Sequence, residues 1–201
     1  MKLYYKAGAC SLASHIALRE AGVAVELEAV DLVTKKTAGG ADFLAVNPKG
    51  YIPALVQDDG TVLTEGVAIM LYVAGLAPDK ALAPKPGTAD YIKLVEWLVF
   101  IATELHKLSG AQFSPVITDE SKAVTKAILL RRLDYANEAL GKGPYLLGET
   151  FTIADGYLFT VCSWQPRIGH DLAKWPNLAA HNARVASRPA VQAALKAEGL
   201  I

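Results

Sequence analysis

The stretch "YYKAGACSLASH" (residues 4–15) sets a lone cysteine, Cys10, between a short apolar run and a segment of helix-forming composition. "KLYY" (2–5) reads as a strand, and "SLASHIALREA" (11–21) reads as a helix that Gly22 stops. The link "KAGACS" (6–11) flanks the sulfur with small residues, so the backbone can turn sharply without crowding the thiol. A helix starting near Ser11 points its positive end at that sulfur and favours the thiolate. The other fate of a free cysteine is that of a small buried hydrophobe. The third residue after Cys10 is Ala13, so no local disulfide can close, and the thiol is left able to hold a small external one.

Outward from this turn, "VELEAVDL" (25–32) alternates apolar and polar residues with the period of a half-buried strand. "IPALVQDDGTVLTE" (52–65) holds two apolar runs around Asp-Asp-Gly, a hairpin signature. "EGVAIMLYVAGL" (65–76) reads as a helix, which completes a β-α-β, loop, β-β-α unit over residues 1–76. "APDKALAPKPG" (77–87) reads as a linker. Beyond it the strand signals vanish, and 88–110, 120–140, 152–164 and 175–197 look helical, with prolines in "WPNL" and "SRPAV" where helices can begin. The expected architecture is a small α/β domain (1–76), a linker (77–87) and an all-helical domain (88–201).

Hydrophobic residues make up 52% and charged residues 20%, which predicts an ordered globular protein. Twenty basic residues balance twenty acidic ones, which argues against nucleic acid or an anionic membrane as principal partner. No apolar run approaches the ~20 residues needed to span a bilayer, and the amino terminus lacks the apolar core of a signal peptide. Two cysteines do not make a disulfide framework, so reduced thiols and a cytoplasmic location are expected.

Three further motifs carry candidate chemistry, and a fourth is structural. In "NPKGYIPAL" (47–55) the Ile52–Pro53 bond is either a rigid turn or the cis peptide that thioredoxin-like folds keep at a strand start. If cis, it turns the Ile52 backbone toward the cysteine, where an extended peptide could pair with it. "TEGVAI" (64–69) reads either as a helix start capped by Thr64 with Glu65 favouring the dipole, or as a ligand site. In the second reading the Gly66 N–H takes a carboxylate and Glu65 takes an ammonium. "VFIATELHK" (99–107) aligns Val99, Thr103 and His106 along one helix face, with Lys107 beside His106. Such a histidine is either structural or, with Lys107, a means of stabilising a thiolate. "FTIADGYLF" (151–159) is a capping box, Thr152 with Asp155, to which only a structural role is given. Cys162 reads as an inert core thiol, His15, His170 and His181 find no evident partners, and no spacing suggests a metal site.

Together these segments, with the terminal "AEGL", resemble the bacterial beta class of glutathione transferases over the whole chain. The pairing of Cys10 with His106-Lys107 is the specific part, because other cytosolic classes usually carry tyrosine or serine as the activating residue. The resemblance implies a thioredoxin-like domain followed by an all-α domain, a homodimer, and glutathione bound in a cleft between the domains. By position it implies that Cys10 lies beside the glutathione sulfur, that Ile52 pairs with the tripeptide backbone with Pro53 in cis, and that Glu65 and Gly66 hold the γ-glutamyl end. Lys35 would reach the glycyl carboxylate. Thr103, Glu104 and His106 would approach the ligand, with Lys107 nearby, while Phe113, Trp164 and Arg167 would line an apolar electrophile pocket.

Two positions depart from the pattern: Gly66 stands where serine is common, and Val99 where close relatives tend to have asparagine, so weaker glutathione affinity is expected. The implied activity is addition of the glutathione thiolate to apolar electrophiles. The alternatives are a glutathione-dependent thiol–disulfide oxidoreductase or reductive dehalogenase using Cys10 as nucleophile, and a non-catalytic regulatory protein on the same fold.

Overall fold

The strand read at the amino terminus pairs with the alternating strand that follows the first helix. The computed structural model describes all residues 1–201 and divides into two units, Met1–Ala83 with Arg188–Ile201, and Pro84–Ser187. In the first unit, β1 (Lys2–Tyr5) leads to α1 (Ser11–Ala21), β2 (Glu26–Asp31), β3 (Lys36–Thr37), β4 (Ala54–Val56), β5 (Val62–Thr64) and α2 (Gly66–Leu76). The sheet order is β3-β2-β1-β4-β5, with β1 parallel to β2 and every other pair antiparallel. Leu3 of β1 stands between Leu27 and Leu55, and both Leu3 and Leu55 are completely buried. The crossover from β1 to β2 through α1 gives the parallel pair its helical cover, since parallel neighbours cannot be joined by a tight turn. Gly22 ends α1 in the left-handed region (φ 71°), where its amide closes on the Arg19 and Leu18 carbonyls. The Asp-Asp-Gly turn joins β4 to β5 with Gly60 at φ 84°. The two-residue β3 was not foreseen; it is too short to show a period.

The second unit is helical. Thr88 caps α3 (Ala89–Phe100) by accepting from the Tyr91 amide. The helix then widens into a π-helical segment, Ile101–His106, and resumes as α4 (Lys107–Phe113). α5 (Asp119–Ala139), α6 (Ile153–Cys162) and α7 (Pro176–Ala186) complete the unit. Leu94, Leu98, Ile101, Leu105, Leu129, Leu133, Leu158, Leu178 and Val185 are completely buried. The Thr152–Asp155 box forms as expected: Asp155 Oδ2 accepts from the Thr152 amide (2.8 Å) and hydroxyl (3.0 Å). Its Oδ1 takes the Leu146 amide (2.9 Å) and His181 Nε2 (3.0 Å), so His181 has the partner the sequence did not reveal. No helix is long and apolar enough to cross a membrane.

The expected helix over 175–197 is two helices. Arg188 is extended (φ −67°, ψ 134°) because the following Pro189 disfavours the helical region for the residue before it. α8 (Pro189–Ala197) packs against α1. Residues 188–201, assigned from sequence to a helical domain 88–201, therefore group with the first unit. The cause is polar as well as apolar. The buried Glu198 carboxylate takes the Gly8 amide (2.9 Å) and His15 Nδ1 (2.9 Å), while Arg19 Nε donates to His15 Nε2 (3.1 Å). Arg188 grips Glu20 of α1 through two guanidinium nitrogens.

Candidate active site

In the first unit the half-buried Cys10 occupies the position just before α1 and donates from Sγ to the Ile52 carbonyl at 3.5 Å. The sulfur also packs against the small core cluster of Val30, Phe43, Ile52 and Ala54. The Ile52–Pro53 bond is cis, so of the two readings of that proline the structure takes the one that faces Ile52 toward the thiol.

Glu65 precedes α2 with φ 67°, a left-handed conformation rare for a side chain of this size. Thr64 does not cap this helix. It ends β5, and its hydroxyl accepts from Lys49 Nζ at 2.9 Å. Lys49 also donates to Glu65 Oε1 (2.7 Å), which takes the Tyr51 hydroxyl at 2.6 Å. The Glu65 carboxylate thus keeps the Lys49 ammonium charged to higher pH and raises the Tyr51 phenol, in each case chiefly through the hydrogen bond. Buried Asn47 shapes the loop that carries both donors: its amide group donates to the Tyr51 carbonyl (2.7 Å) and its side-chain oxygen takes the Lys49 amide (3.2 Å). Lys49, Tyr51 and Asn47 were missed because nothing in "NPKGY" marks a donor pair until the turn is folded.

Gly66 is not required by space. A Cβ there would lie 3.7 Å from Pro53 Cγ and 3.9 Å from Ser14 Oγ, ordinary contact distances. Its lack of a side chain is a chemical departure, since any anion held there meets backbone N–H alone. Lys35, at φ 57°, turns its ammonium onto the Gly50 carbonyl (2.7 Å).

In the second unit the π-helical segment covers Thr103, Glu104 and His106. Such segments frequently mark functional sites, and here the wider turn changes the expected stripe. Val99 and Thr103 stay exposed while His106 is half-buried, so the three do not share one environment. Thr103 returns its hydroxyl to the Val99 carbonyl (3.0 Å), and Glu104 pairs with Arg132 (2.7 Å). His106 Nδ1 lies 2.7 Å from the Tyr157 hydroxyl, and its ring meets Trp164 edge-on at 5.1 Å. Phe113 stacks edge-on against Trp164 (6.4 Å), and the exposed Arg167 covers Phe113 at 5.6 Å. The structure thus brings Phe113, Trp164 and Arg167 together with His106. Tyr157 is an addition hidden from sequence inside an apolar helix.

Burial, reinforced by the Lys107 ammonium, lowers His106 from 6.5 to about 4. The imidazole is neutral at pH 7, so any help it gives a thiolate comes from an N–H and not from a positive charge. The unfolded chain binds this proton more readily than the native one between those values, so native stability is intact above about pH 6.5 and falls toward pH 4. Relative to His106→Gln, the wild-type protein should lose about 3 kcal/mol between pH 7 and pH 4. Urea unfolding of both proteins across that range measures the difference. Cys162, by contrast, is fully buried and its thiol is pushed up to about 12, as befits an inert core residue.

A thiol at the head of the first helix of a mixed five-stranded sheet, in a chain with a separate helical unit, defines a thioredoxin-like protein with an appended helical domain. Comparison with known proteins narrows that class. Residues 1–75 match the glutathione S-transferase N-terminal domain and 106–198 the glutathione S-transferase C-terminal domain. Glutathione S-transferase GstA of Escherichia coli O157:H7 is 50% identical over the full length of both chains. The beta-class glutathione S-transferase of Sphingomonas chungbukensis superposes with a TM-score of 0.96 at 45% identity, covering all of both chains. A sphingomonad glutathione S-transferase in complex with glutathione does so with a TM-score of 0.96 at 44% identity, again over all of both chains. The chain belongs to the glutathione S-transferase family, in its bacterial beta class.

Proposed function

We propose that this transferase binds glutathione along its first unit and delivers the glutathione thiolate to an electrophilic carbon of an apolar small molecule. The new carbon–sulfur bond forms as the leaving group departs with its electron pair. The observation that carries this reading is the placement of the Cys10 sulfur on the Ile52 carbonyl, in the backbone just ahead of β4 that an extended peptide could pair with. Glutathione offers a thiol, an extended backbone, an ammonium and two carboxylates. Cys10, Ile52 with Pro53, Glu65, the Gly66 amide and Lys35 match those groups in turn. Thr103, Glu104, His106 and Lys107 are assigned to the same ligand by family likeness, with His106 as a neutral hydrogen-bonding group. The aromatic cluster of Phe113 and Trp164, with Arg167 over it, suits an apolar, electron-poor ring. A homodimer working in the cytoplasm completes the proposal.

Catalysis on this reading rests on proximity and on holding sulfur as its anion, neither of which requires Cys10 to be the base. Cys10→Ala should therefore keep most of the conjugation of 1-chloro-2,4-dinitrobenzene and abolish reduction of glutathione mixed disulfides. Loss of both together would make Cys10 the attacking group and favour the oxidoreductase reading. Failure of the wild-type protein to bind immobilised glutathione would overturn the proposal.

A further inference from the structure

The helix that begins with the Thr152–Asp155 box has a second feature besides its cap. We infer that Tyr157 is a positioning residue for His106: its hydroxyl donates to Nδ1 and so presents Nε2–H as the donor His106 offers to a bound ligand. Identification of that ligand as glutathione rests on the function proposed above; the tautomer itself does not.

Four observations support the assignment. The Tyr157 oxygen and His106 Nδ1 are 2.7 Å apart, a short hydrogen bond between a buried phenol and a half-buried ring. The imidazole is held edge-on between two aromatic rings, Tyr157 at 5.9 Å and Trp164 at 5.1 Å, so it cannot turn its other nitrogen to the phenol without disturbing both. Nε2 makes no hydrogen bond within the protein, leaving it as the nitrogen that can meet a ligand. Finally, the ring is uncharged at neutral pH, so it carries a single N–H and the choice of nitrogen decides whether it donates or accepts.

Chemistry settles the direction of the shared hydrogen. A phenol O–H is a stronger acid than a neutral imidazole N–H. Its oxygen lone pair is drawn into the ring, whereas the bare imidazole nitrogen is a strong acceptor. The arrangement O–H···Nδ1 therefore wins, and the proton of the imidazole resides on Nε2. This matters because a thiolate or carboxylate needs a donor, and the opposite tautomer would present a lone pair to an anion. His106 closes the π-helical segment Ile101–His106 and there meets Tyr157, while Val99 and Thr103 stay exposed.

Nitrogen-15 NMR of the histidine-labelled wild-type protein at pH 7 reads the tautomer directly. The expected spectrum shows His106 Nδ1 as a bare, pyridine-like nitrogen and Nε2 as a protonated, pyrrole-like one. Tyr157→Phe keeps the ring packing and should convert this to a mixture of tautomers. It should also raise the KM for glutathione roughly three- to tenfold, the loss of one ordinary hydrogen bond, with a smaller change in kcat. A protonated Nδ1 in the wild type, or an unchanged single tautomer in Tyr157→Phe, overturns the assignment even if the variant is unstable or inactive. An Nε2–H tautomer that depends on Tyr157, in a protein with no affinity for glutathione, upholds the assignment and overturns the ligand instead.

Discussion

Asp155→Ala should destabilise the native protein by about 3–5 kcal/mol, enough to remove much of the margin by which a domain of ordinary stability stays folded. The carboxylate is completely buried and takes four donors: the Thr152 amide and hydroxyl, the Leu146 amide and His181 Nε2. Truncation leaves each of these without its partner in a place water does not reach, and an unsatisfied buried donor costs about 1–3 kcal/mol. His181 is hit hardest, because its Nδ1 is already buried without a partner. The same deletion removes the Asp155 half of the capping box at the start of α6, the helix that carries Tyr157. Asp155→Asn should cost less, since the amide oxygen can still accept from part of the set. Thr152→Val should cost about 1 kcal/mol, the worth of a cap hydroxyl. Urea denaturation of the three variants at pH 7 tests the ranking, and a cost below 1 kcal/mol for Asp155→Ala would show the network to be dispensable.

The box containing Asp155 was legible in the sequence because capping depends on residues three apart. His181 as its fourth donor was not, because that pairing depends on how α6 and α7 pack. The same division runs through the fold. β1 and α1 announce themselves by an apolar run and by helix-forming composition closed by Gly22, β2 by its period of two, and the β4–β5 hairpin by Asp-Asp-Gly. β3 has only two residues and no period. The C-terminal helix was recognisable as a helix, yet its partner was not, since helical composition does not say which surface a helix covers. Glu198 decides that question by finding the Gly8 amide and His15 on and beside α1.

At the candidate site, sequence distinguished residue types better than their states. Cys10 before a helix and an Ile-Pro pair at a strand start are readable as positions, and the structure puts their atoms in contact. The charge of His106 was not readable: its spacing beside Lys107 says nothing of protonation, whereas burial leaves the ring neutral. Burial is a property of the folded environment, and the π-helical turn over Ile101–His106 breaks the 3.6-residue spacing from which the helix face was inferred. Tyr157 was hidden for a related reason. In a run of apolar residues a tyrosine is indistinguishable from core until its hydroxyl has a partner.

The occupied state of Glu65 leads to the second large effect. Replacing Glu65 with glutamine should raise the KM for glutathione about tenfold while kcat at saturation stays within about twofold. The carboxylate already receives Lys49 and Tyr51 on Oε1, so an incoming ammonium has to share that group or displace the lysine. The Lys49–Glu65 pair is well exposed, with side chains 47% and 57% accessible, and exposed pairs contribute little to stability. Displacement is therefore inexpensive, and the ligand gains a charge-assisted hydrogen bond that glutamine cannot replace. Two variants separate this competition from a mere loss of loop shape. Lys49→Met removes the internal competitor and should lower the KM two- to threefold, a modest gain consistent with an exposed pair. Tyr51→Phe should raise the KM slightly, because the phenol orients the carboxylate without competing through charge. Raising the salt concentration should weaken glutathione binding less in Glu65→Gln than in the wild type, since the screened attraction is already gone. Titration calorimetry with glutathione on all four proteins gives the order directly. Equal affinities for wild type and Glu65→Gln would remove Glu65 from the γ-glutamyl site and leave it as the partner that fixes the Lys49–Tyr51 loop.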